Sequence, residues 1–247
     1  VYVEPCLGSG AVGLQKERAR IEVWNDIDKR VVNFFQVLRD RPDELMRLIN
    51  LTPFSRAELD LSYKQVEDPL ENARRFCVLC WQSYGSILRR RTGWTMEKGA
   101  HNWKTRVEGW NDMEHLLVVA RRLKDVQFEC DDAIKVVTRW DTANTLYYID
   151  LPYVKNTRSG SWQKEAYECD VPDNYHVDMA NVLYNIKGMA IVSGYESEMY
   201  DELYKDWKKF SIQNRTTKTT TIKREVIWLN AKCYENGNQH RLGLINR

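Results

Sequence analysis

Thr145-Leu146-Tyr147-Tyr148-Ile149-Asp150-Leu151-Pro152-Tyr153 is the stretch that decides the fold. The segment from Thr145 to Ile149 is a nearly continuous apolar run, the pattern of a central strand buried on both faces. It ends abruptly in an acid, followed by Leu151, Pro152 and Tyr153. In open α/β sheets ligands bind outside the carboxyl ends of the strands, so Asp150 and Tyr153 sit where chemistry is expected. Pro152 stiffens the turn, and the backbone carbonyls stay free to accept hydrogen bonds. A plain strand-to-loop turn has the same composition, so this tetrapeptide alone leaves both readings open.

Working outward, Met189-Ala190-Ile191-Val192 reads as a second buried strand. Val1-Tyr2-Val3-Glu4 alternates like a strand and runs into a glycine-bearing turn, Pro5-Cys6-Leu7-Gly8-Ser9-Gly10-Ala11. Ile21 to Trp24, Val126 to Cys130, Phe210 to Gln213 and Glu225 to Leu229 complete the expected strands. Helices are expected from Lys29 to Leu38, where Val31, Val32, Phe35 and Leu38 share one face, and from Pro42 to Leu51. Ser55 and Glu58 have the spacing of a capping box that opens a further helix. Residues Pro69 to Leu123 read as mostly helical, interrupted by a polar, aromatic loop near Gly93 to Gly109. Asp132 to Arg139, Pro172 to Ile186 and Tyr200 to Trp207 are the remaining helices. Strands alternating with helices predict a doubly wound α/β sheet with a mostly helical insertion between its second and third strands.

Composition narrows the function classes. Of 247 residues, 43% are hydrophobic, enough for a sizeable core, and no apolar run approaches the ~18 residues of a membrane span. The opening residues have neither a basic start nor a long apolar stretch, so no secretory signal is expected. Six cysteines lie scattered rather than in a disulfide framework, which favours a reducing cytoplasm. Net charge is only +2, but the basic residues are uneven. Arg74, Arg75, Arg89, Arg90, Arg91, Lys98, Lys104, Arg106, Arg121, Arg122 and Lys124 are interleaved with Trp81, Tyr84, Trp94, Trp103 and Trp110. Such a segment can neutralise phosphates and stack on bases. It is equally the pattern of a solvated helical surface with its tryptophans turned inward.

Gly8 and Gly10 let the backbone approach a ligand, and Asp26, at the end of the second strand, is placed to accept from ribose hydroxyls. Asp26 could also be a helix N-cap, and both readings stand. Cys77 and Cys80 have metal-like spacing without a second pair, so they are read as helix-core cysteines and no metal site is expected. His101, His115, His176 and His240 are dispersed.

Taken jointly, Glu4 to Val12, Asn25 to Asp28 and Asp150 to Tyr153 resemble the Dam-like, D12-class adenine-specific DNA methyltransferases. The resemblance extends to Arg39 to Leu45, Gln82 to Gly85, Asn156 to Gly160, Ser193 to Ser197 and Arg224 to Asn230, in the family's order along nearly the whole chain. It implies a Rossmann-like methyltransferase sheet (residues 1–50 and 124–247) and a helical target-recognition region (residues 51–123). It also implies S-adenosyl-L-methionine as cofactor and double-stranded DNA as partner. Glu4, Pro5, Cys6, Gly8, Ser9 and Gly10 would cradle the methionine end of the cofactor. Asp26 and Ile27 would meet its ribose, and Phe128, Asp131 and Asp132 its adenine, with Asp150 close by. Asp150, the Leu151 carbonyl, Pro152 and Tyr153 would handle an adenine turned out of the helix. Tyr84, Arg89, Arg90, Arg91, Trp94, Lys98, Asn102, Trp103 and Lys104 would contact DNA, with Arg158 and the segment Thr216 to Arg224 as lesser candidates.

Departures from the family pattern leave alternatives. Leu151 stands where the family has a proline, and Cys6 where phenylalanine is common. Relatives usually carry an N-terminal segment with Pro-Gly and a lysine that helps close the cofactor site. Two readings stand: such a segment precedes the first strand, or the protein works without one, with a partner chain as a further option. A DNA-binding relative with weak or lost catalysis, and a methyltransferase for cytosine N4 or an RNA base, remain the competing readings.

Overall fold

In the computed structural model, which describes residues 1–84, 91, 93–96, 105–154, 157, 169–213 and 224–237, the apolar run becomes β4 (Leu146–Ile149). It belongs to a seven-stranded sheet with β1 (Tyr2–Glu4), β2 (Glu22–Asn25), β3 (Val126–Glu129), β5 (Met189–Tyr195), β6 (Lys208–Gln213) and β7 (Arg224–Leu229). The spatial order is β3-β2-β1-β4-β5-β7-β6. Strands β1 to β5 run parallel, while β7 is antiparallel to both β5 and β6. The chain builds outward from β1 to β3, then returns to the far side of β1 for β4 and β5. That reversal opens a crevice above the carboxyl ends of β1 and β4, where doubly wound, Rossmann-like sheets bind ligands.

Helices cover both faces, which explains the lack of alternation in the strands. β1 was expected to alternate, yet Tyr2, Val3 and Glu4 are all buried. On one face Val3, Tyr147, Ile149 and Val192 pack with residues of α8 (Ala133–Arg139) and α9 (Asp173–Asn185). On the other, Trp24 and Val126 pack with α2 (Lys29–Asp40), α3 (Pro42–Asn50), α5 (Pro69–Gln82) and α7 (His115–Leu123). The shorter helices are α1 (Ala11–Gln15), α4 (Arg56–Ser62), α6 (Arg106–Trp110) and α10 (Glu198–Leu203), and residues 231–237 are helical after β7. Helices α2 to α7 all lie between β2 and β3, the predicted place of the insertion, and α2 packs against both α5 and α7.

Local chemistry sets several boundaries. Asp28 caps α2 by accepting from the Arg30 N–H at 2.8 Å. Ser55 caps α4 through the Ala57 N–H, but its own N–H goes to Gln82 and Glu58 turns to Arg74 at 2.8 Å, so the expected reciprocal box does not form. Thr105 and Glu108 form a complete one for α6. The last predicted helix starts earlier and stops sooner than Tyr200 to Trp207. Ser197 caps it, and Tyr204 and Trp207 leave the helix to fill the core. No helix among the described residues is long and apolar enough to cross a membrane.

Candidate active site

The site grows from the turn after β1. Gly10 sits at φ 65°, in the left-handed region that favours glycine, and donates its N–H to the Leu7 carbonyl at 2.8 Å. A Cβ there would press on Leu7 at 3.3 Å and on Phe35 and Trp24 at 3.6 Å, so both conformation and space call for glycine. The tight turn brings the Gly8 N–H to the Asp26 carboxylate at 2.8 Å, whose other oxygen accepts from the Asp28 N–H at 2.9 Å. Asp26 is therefore not the helix cap; Asp28 has that role. Each Asp26 oxygen holds one backbone N–H and has a lone pair left.

Asn25, fully buried, ties three loops together. Its amide nitrogen donates to the Pro5 carbonyl at 2.7 Å and to the Asp131 carbonyl at 2.9 Å, while its oxygen accepts from the Asp131 N–H at 2.9 Å. The loops after β1, β2 and β3 are thus pinned at one residue. Asp132 caps α8 and accepts from the Tyr175 hydroxyl of α9 at 2.8 Å, which fixes the next wall.

These loops enclose a cleft of about 560 Å³, within the range of small-molecule sites. Every charged side chain among its described lining is an acid: Glu4, Asp26, Asp28, Asp131, Asp132, Asp150 and Asp170. Burial pushes the Glu4 carboxyl up to about 7 against the opposing hydrogen bonds from the Tyr2 hydroxyl and the Gly13 N–H. Burial also raises Asp26, whose two backbone donors work against it. Asp150 opens onto the cleft yet is ringed by protein, and the loss of bulk water raises its carboxyl despite a hydrogen bond from Ser193. Arg139, bonded at 2.7 Å, holds the half-buried Asp131 below the usual range.

At the end of β4 the catalytic candidates fall together. The Ser193 hydroxyl lies 3.0 Å from the Asp150 carboxylate. Leu151 is 2% exposed and packs into the core, anchoring the turn by burial. The Tyr153 ring meets Tyr195 edge-on at 4.5 Å between centroids.

Glu4, Pro5, Cys6, Gly8, Ser9, Asp26, Ile27, Asp131, Asp132, Asp150, Leu151, Pro152 and Tyr153 all line this one cleft. Two expected cofactor residues do not. Gly10 shapes the turn from behind. Phe128 stacks on Phe35 at 6.1 Å and meets Trp24 edge-on, with Arg39 over its ring. Several lining or supporting residues were given no role from sequence: the Asn25 clamp, Tyr148, Asp170, Tyr175, Ser193 and Tyr195. Ser193 and Tyr195 lie in one of the family-like segments, whereas Tyr175 is a helix residue with no local signal.

The DNA-contact candidates divide. Tyr84 is 61% exposed, and the exposed Arg91 lies over the Tyr63 ring and 3.6 Å from Asp60. Trp94 is half-buried, packed on Phe54 at 5.3 Å with Arg56 over its ring, so these contacts are those of a buttress. Trp110 is buried, its indole N–H donated to the Thr52 carbonyl at 2.7 Å. Arg89, Arg90, Lys98, Asn102, Trp103, Lys104 and Arg158 lie outside the described residues, as does 216–223.

The profile of the D12 class N6 adenine-specific DNA methyltransferase family matches residues 1–221. No curated protein shows significant similarity to the chain.

Proposed function

The chain belongs to the D12 class N6 adenine-specific DNA methyltransferase family, and from that premise we propose that it transfers a methyl group from S-adenosylmethionine to adenine N6 in double-stranded DNA, after the base has turned out of the helix. The observation that carries this reading is a cleft, adjoining the Asp150 to Tyr153 corner, whose charged side chains are all acids among the described lining. S-adenosylmethionine carries a sulfonium and an ammonium, and buried carboxylates suit such a ligand. Glu4 and the Gly8 to Gly10 turn would hold its amino-acid end, and Asp26 would accept from its ribose. The exposed Ile27, with Val12 and Val31, offers apolar surface to a purine. When bound, the cofactor supplies a methyl group activated by the sulfonium.

The protein's own part is geometry. An amine conjugated to a purine is a poor nucleophile, because its lone pair is delocalised into the ring. The Asp150 carboxylate and the Leu151 carbonyl accept its two hydrogens and draw the lone pair out of the ring plane. Tyr153 offers its face to the base, as base-flipping enzymes do with aromatic side chains. Transfer would break the sulfonium's S–CH3 bond as the N–C bond forms, releasing a neutral thioether, and the surplus amine proton would have an acceptor in Asp150, whose raised proton affinity suits it to that step. The buried Leu151 supports a turn still held in place for this chemistry. Residues 1–50 and 124–247 would hold cofactor and chemistry, and residues 51–123 would read the target, with Tyr84 and Arg91 among the exposed side chains that meet DNA.

Transfer of tritiated methyl groups to unmethylated genomic DNA, followed by digestion to nucleosides, tests the reading. N6-methyladenine is expected, and Asp150→Asn should reduce kcat by about 100-fold or more, as loss of a transition-state hydrogen bond does. Label in N4-methylcytosine or in RNA would transfer the site to the other-amine reading. Cofactor binding with no transfer to any nucleic acid would leave a catalytically inactive relative.

A further inference from the structure

The end of β5 forms the second wall of the catalytic corner. Ser193 is buried, and its hydroxyl lies 3.0 Å from the Asp150 carboxylate and 3.2 Å from the Ile149 carbonyl. Two residues on, Tyr195 meets the Tyr153 ring edge-on at 4.5 Å. Between them, Gly194 admits the buried Tyr200 ring so closely that a Cβ would lie 2.8 Å from it. Tyr200 is itself held by His176 at 2.9 Å and by Trp228 edge-on. The strand end is therefore seated by Tyr200 from below and presents one polar and one aromatic group to β4.

We propose that Ser193 and Tyr195 are positioning residues for methyl transfer, Ser193 fixing the Asp150 carboxylate and Tyr195 fixing the ring plane of Tyr153. A carboxylate on a single Cβ rotates freely unless something selects one rotamer, and the Ser193 hydroxyl sits on one of its oxygens. The other oxygen then has a defined direction toward the substrate amine. An edge-on aromatic contact favours one tilt of its partner, because the positive ring edge of one meets the negative face of the other. A base stacked on Tyr153 inherits that tilt. Displacements near an ångström cost rate out of proportion to their size, so fixing these two angles has kinetic value.

The inference rests on the proposed roles of Asp150 and Tyr153, and its test separates the two. Besides Ser193, the groups about Asp150 are Glu4 from β1, Cys6 from the turn after it, Tyr148 from β4, Tyr195 from β5, Glu225 from β7 and Tyr200 from α10. The Ser193 hydroxyl opposes the upward push of burial on Asp150, so its loss raises the carboxyl further. Ser193→Ala, with Ser193→Cys as a same-sized variant of weaker donor strength, should lower kcat about 10- to 100-fold. The dissociation constant for S-adenosylmethionine should stay within about twofold. In the free protein, carboxyl carbon NMR should find Asp150 titrating at higher pH in both variants, and Ser193→Thr should restore rate and titration. Tyr195→Leu should lower kcat about tenfold, with Tyr195→Phe near wild type. If Asp150→Asn turns over like wild type, the parent reading fails. If Asp150→Asn is inactive while Ser193→Ala and Ser193→Cys keep both the rate and the titration of wild type, the positioning role of Ser193 is overturned. A Tyr195→Leu variant with unchanged kcat overturns that of Tyr195.

Discussion

Asn25 offers the sharpest test of how the cofactor loops are held. Its side chain makes three hydrogen bonds in a fully buried position and joins the turn after β1 to the loop after β3. Asn25→Ala removes all three at about 1 kcal/mol each and strands the Pro5 and Asp131 backbone groups, a loss of about 3 kcal/mol. Asn25→Asp keeps the shape but turns the donor nitrogen into an oxygen. That oxygen would face the Pro5 and Asp131 carbonyls at the present 2.7 and 2.9 Å, acceptor against acceptor. A buried charge without compensation costs about 3–5 kcal/mol, so at neutral pH the isosteric change is at least as damaging as truncation.

The two variants separate with pH. The introduced carboxyl has a folded pKa raised above its unfolded value of about 3.9 by burial and by the carbonyls. Its ionisation penalty is absent below about pH 4 and grows as pH rises toward the folded value. A protonated acid can also donate to one of the two carbonyls. Urea unfolding at pH 5 and pH 7.5 should therefore show the deficit of Asn25→Asp relative to wild type narrowing at the lower pH, while that of Asn25→Ala stays nearly constant. Calorimetry should find S-adenosylmethionine bound at least tenfold more weakly by both, about 1.4 kcal/mol. Wild-type stability for Asn25→Asp at pH 7.5, or a pH-independent deficit, would refute the clamp.

Glu4 titrates near neutrality in the free protein because it is buried, and a cationic ligand favours its ionised form. Calorimetric binding of S-adenosylmethionine at pH 6.5 should release a fraction of a proton, seen as a dependence on buffer ionisation enthalpy that Glu4→Gln abolishes. Because its folded value lies above the unfolded one of about 4.3, Glu4's contribution to stability is full below pH 4 and lost as pH rises through 7. The free protein should thus be less stable at pH 8 than at pH 6, with a flatter profile for Glu4→Gln. Gly13→Ala would set a Cβ 2.5 Å from the buried Trp24 ring and 2.9 Å from a Glu4 oxygen, so a loss of about 2 kcal/mol or more is expected on thermal unfolding. Leu151→Pro gives up part of a buried leucine, about 1–2 kcal/mol. It should lower the melting temperature by about 3–6 °C and leave kcat within threefold. A clear rise in kcat would instead mark the missing ring as a defect.

The sheet was readable because parallel strands buried on both faces leave apolar runs that few other structures require. Leu146 to Ile149 and Met189 to Val192 are such runs, and both lie within strands. Helix starts were readable from a first-turn proline at Pro42 and from apolar spacing after Lys29, though the cap there is Asp28 and not the candidate Asp26. The capping partner of Ser55 was not, because Glu58 answers to Arg74, sixteen residues away and on another helix. Phe128 misled for a related reason. A strand of alternating residues shows which positions share a face, but not which face looks into the cleft, and Phe128 joined Trp24 and Phe35 instead. Trp94 carried the same ambiguity between a stacking surface and a buttress, and only its contact with Phe54 distinguishes them. Ser193 and Tyr195 act across a strand pair, a relation set by register that no local pattern encodes.

A net charge of +2 hides a segregation that bears on how DNA must approach. Seven acids line the cleft, with no base among its described lining, whereas the basic, aromatic stretch lies in the insertion. A duplex carries a phosphate for about every 1.7 Å of axis, counting both strands, so on the proposed reading its backbone would be repelled by the cleft and drawn to the insertion. A single base is different: it carries no formal charge, and only its sugar-phosphate link must approach the rim. On the proposed reading, the same carboxylates that favour a cationic cofactor keep the intact duplex at a distance, so that an extruded base is the one part of DNA that enters at low electrostatic cost. The division predicts opposite salt responses. Added salt should weaken DNA binding steeply through the insertion, while cofactor binding in the enclosed cleft, less open to screening, should change little. Parallel salt titrations of the two ligands would distinguish this arrangement from one in which DNA and cofactor share a single electrostatic surface, where both affinities would fall together.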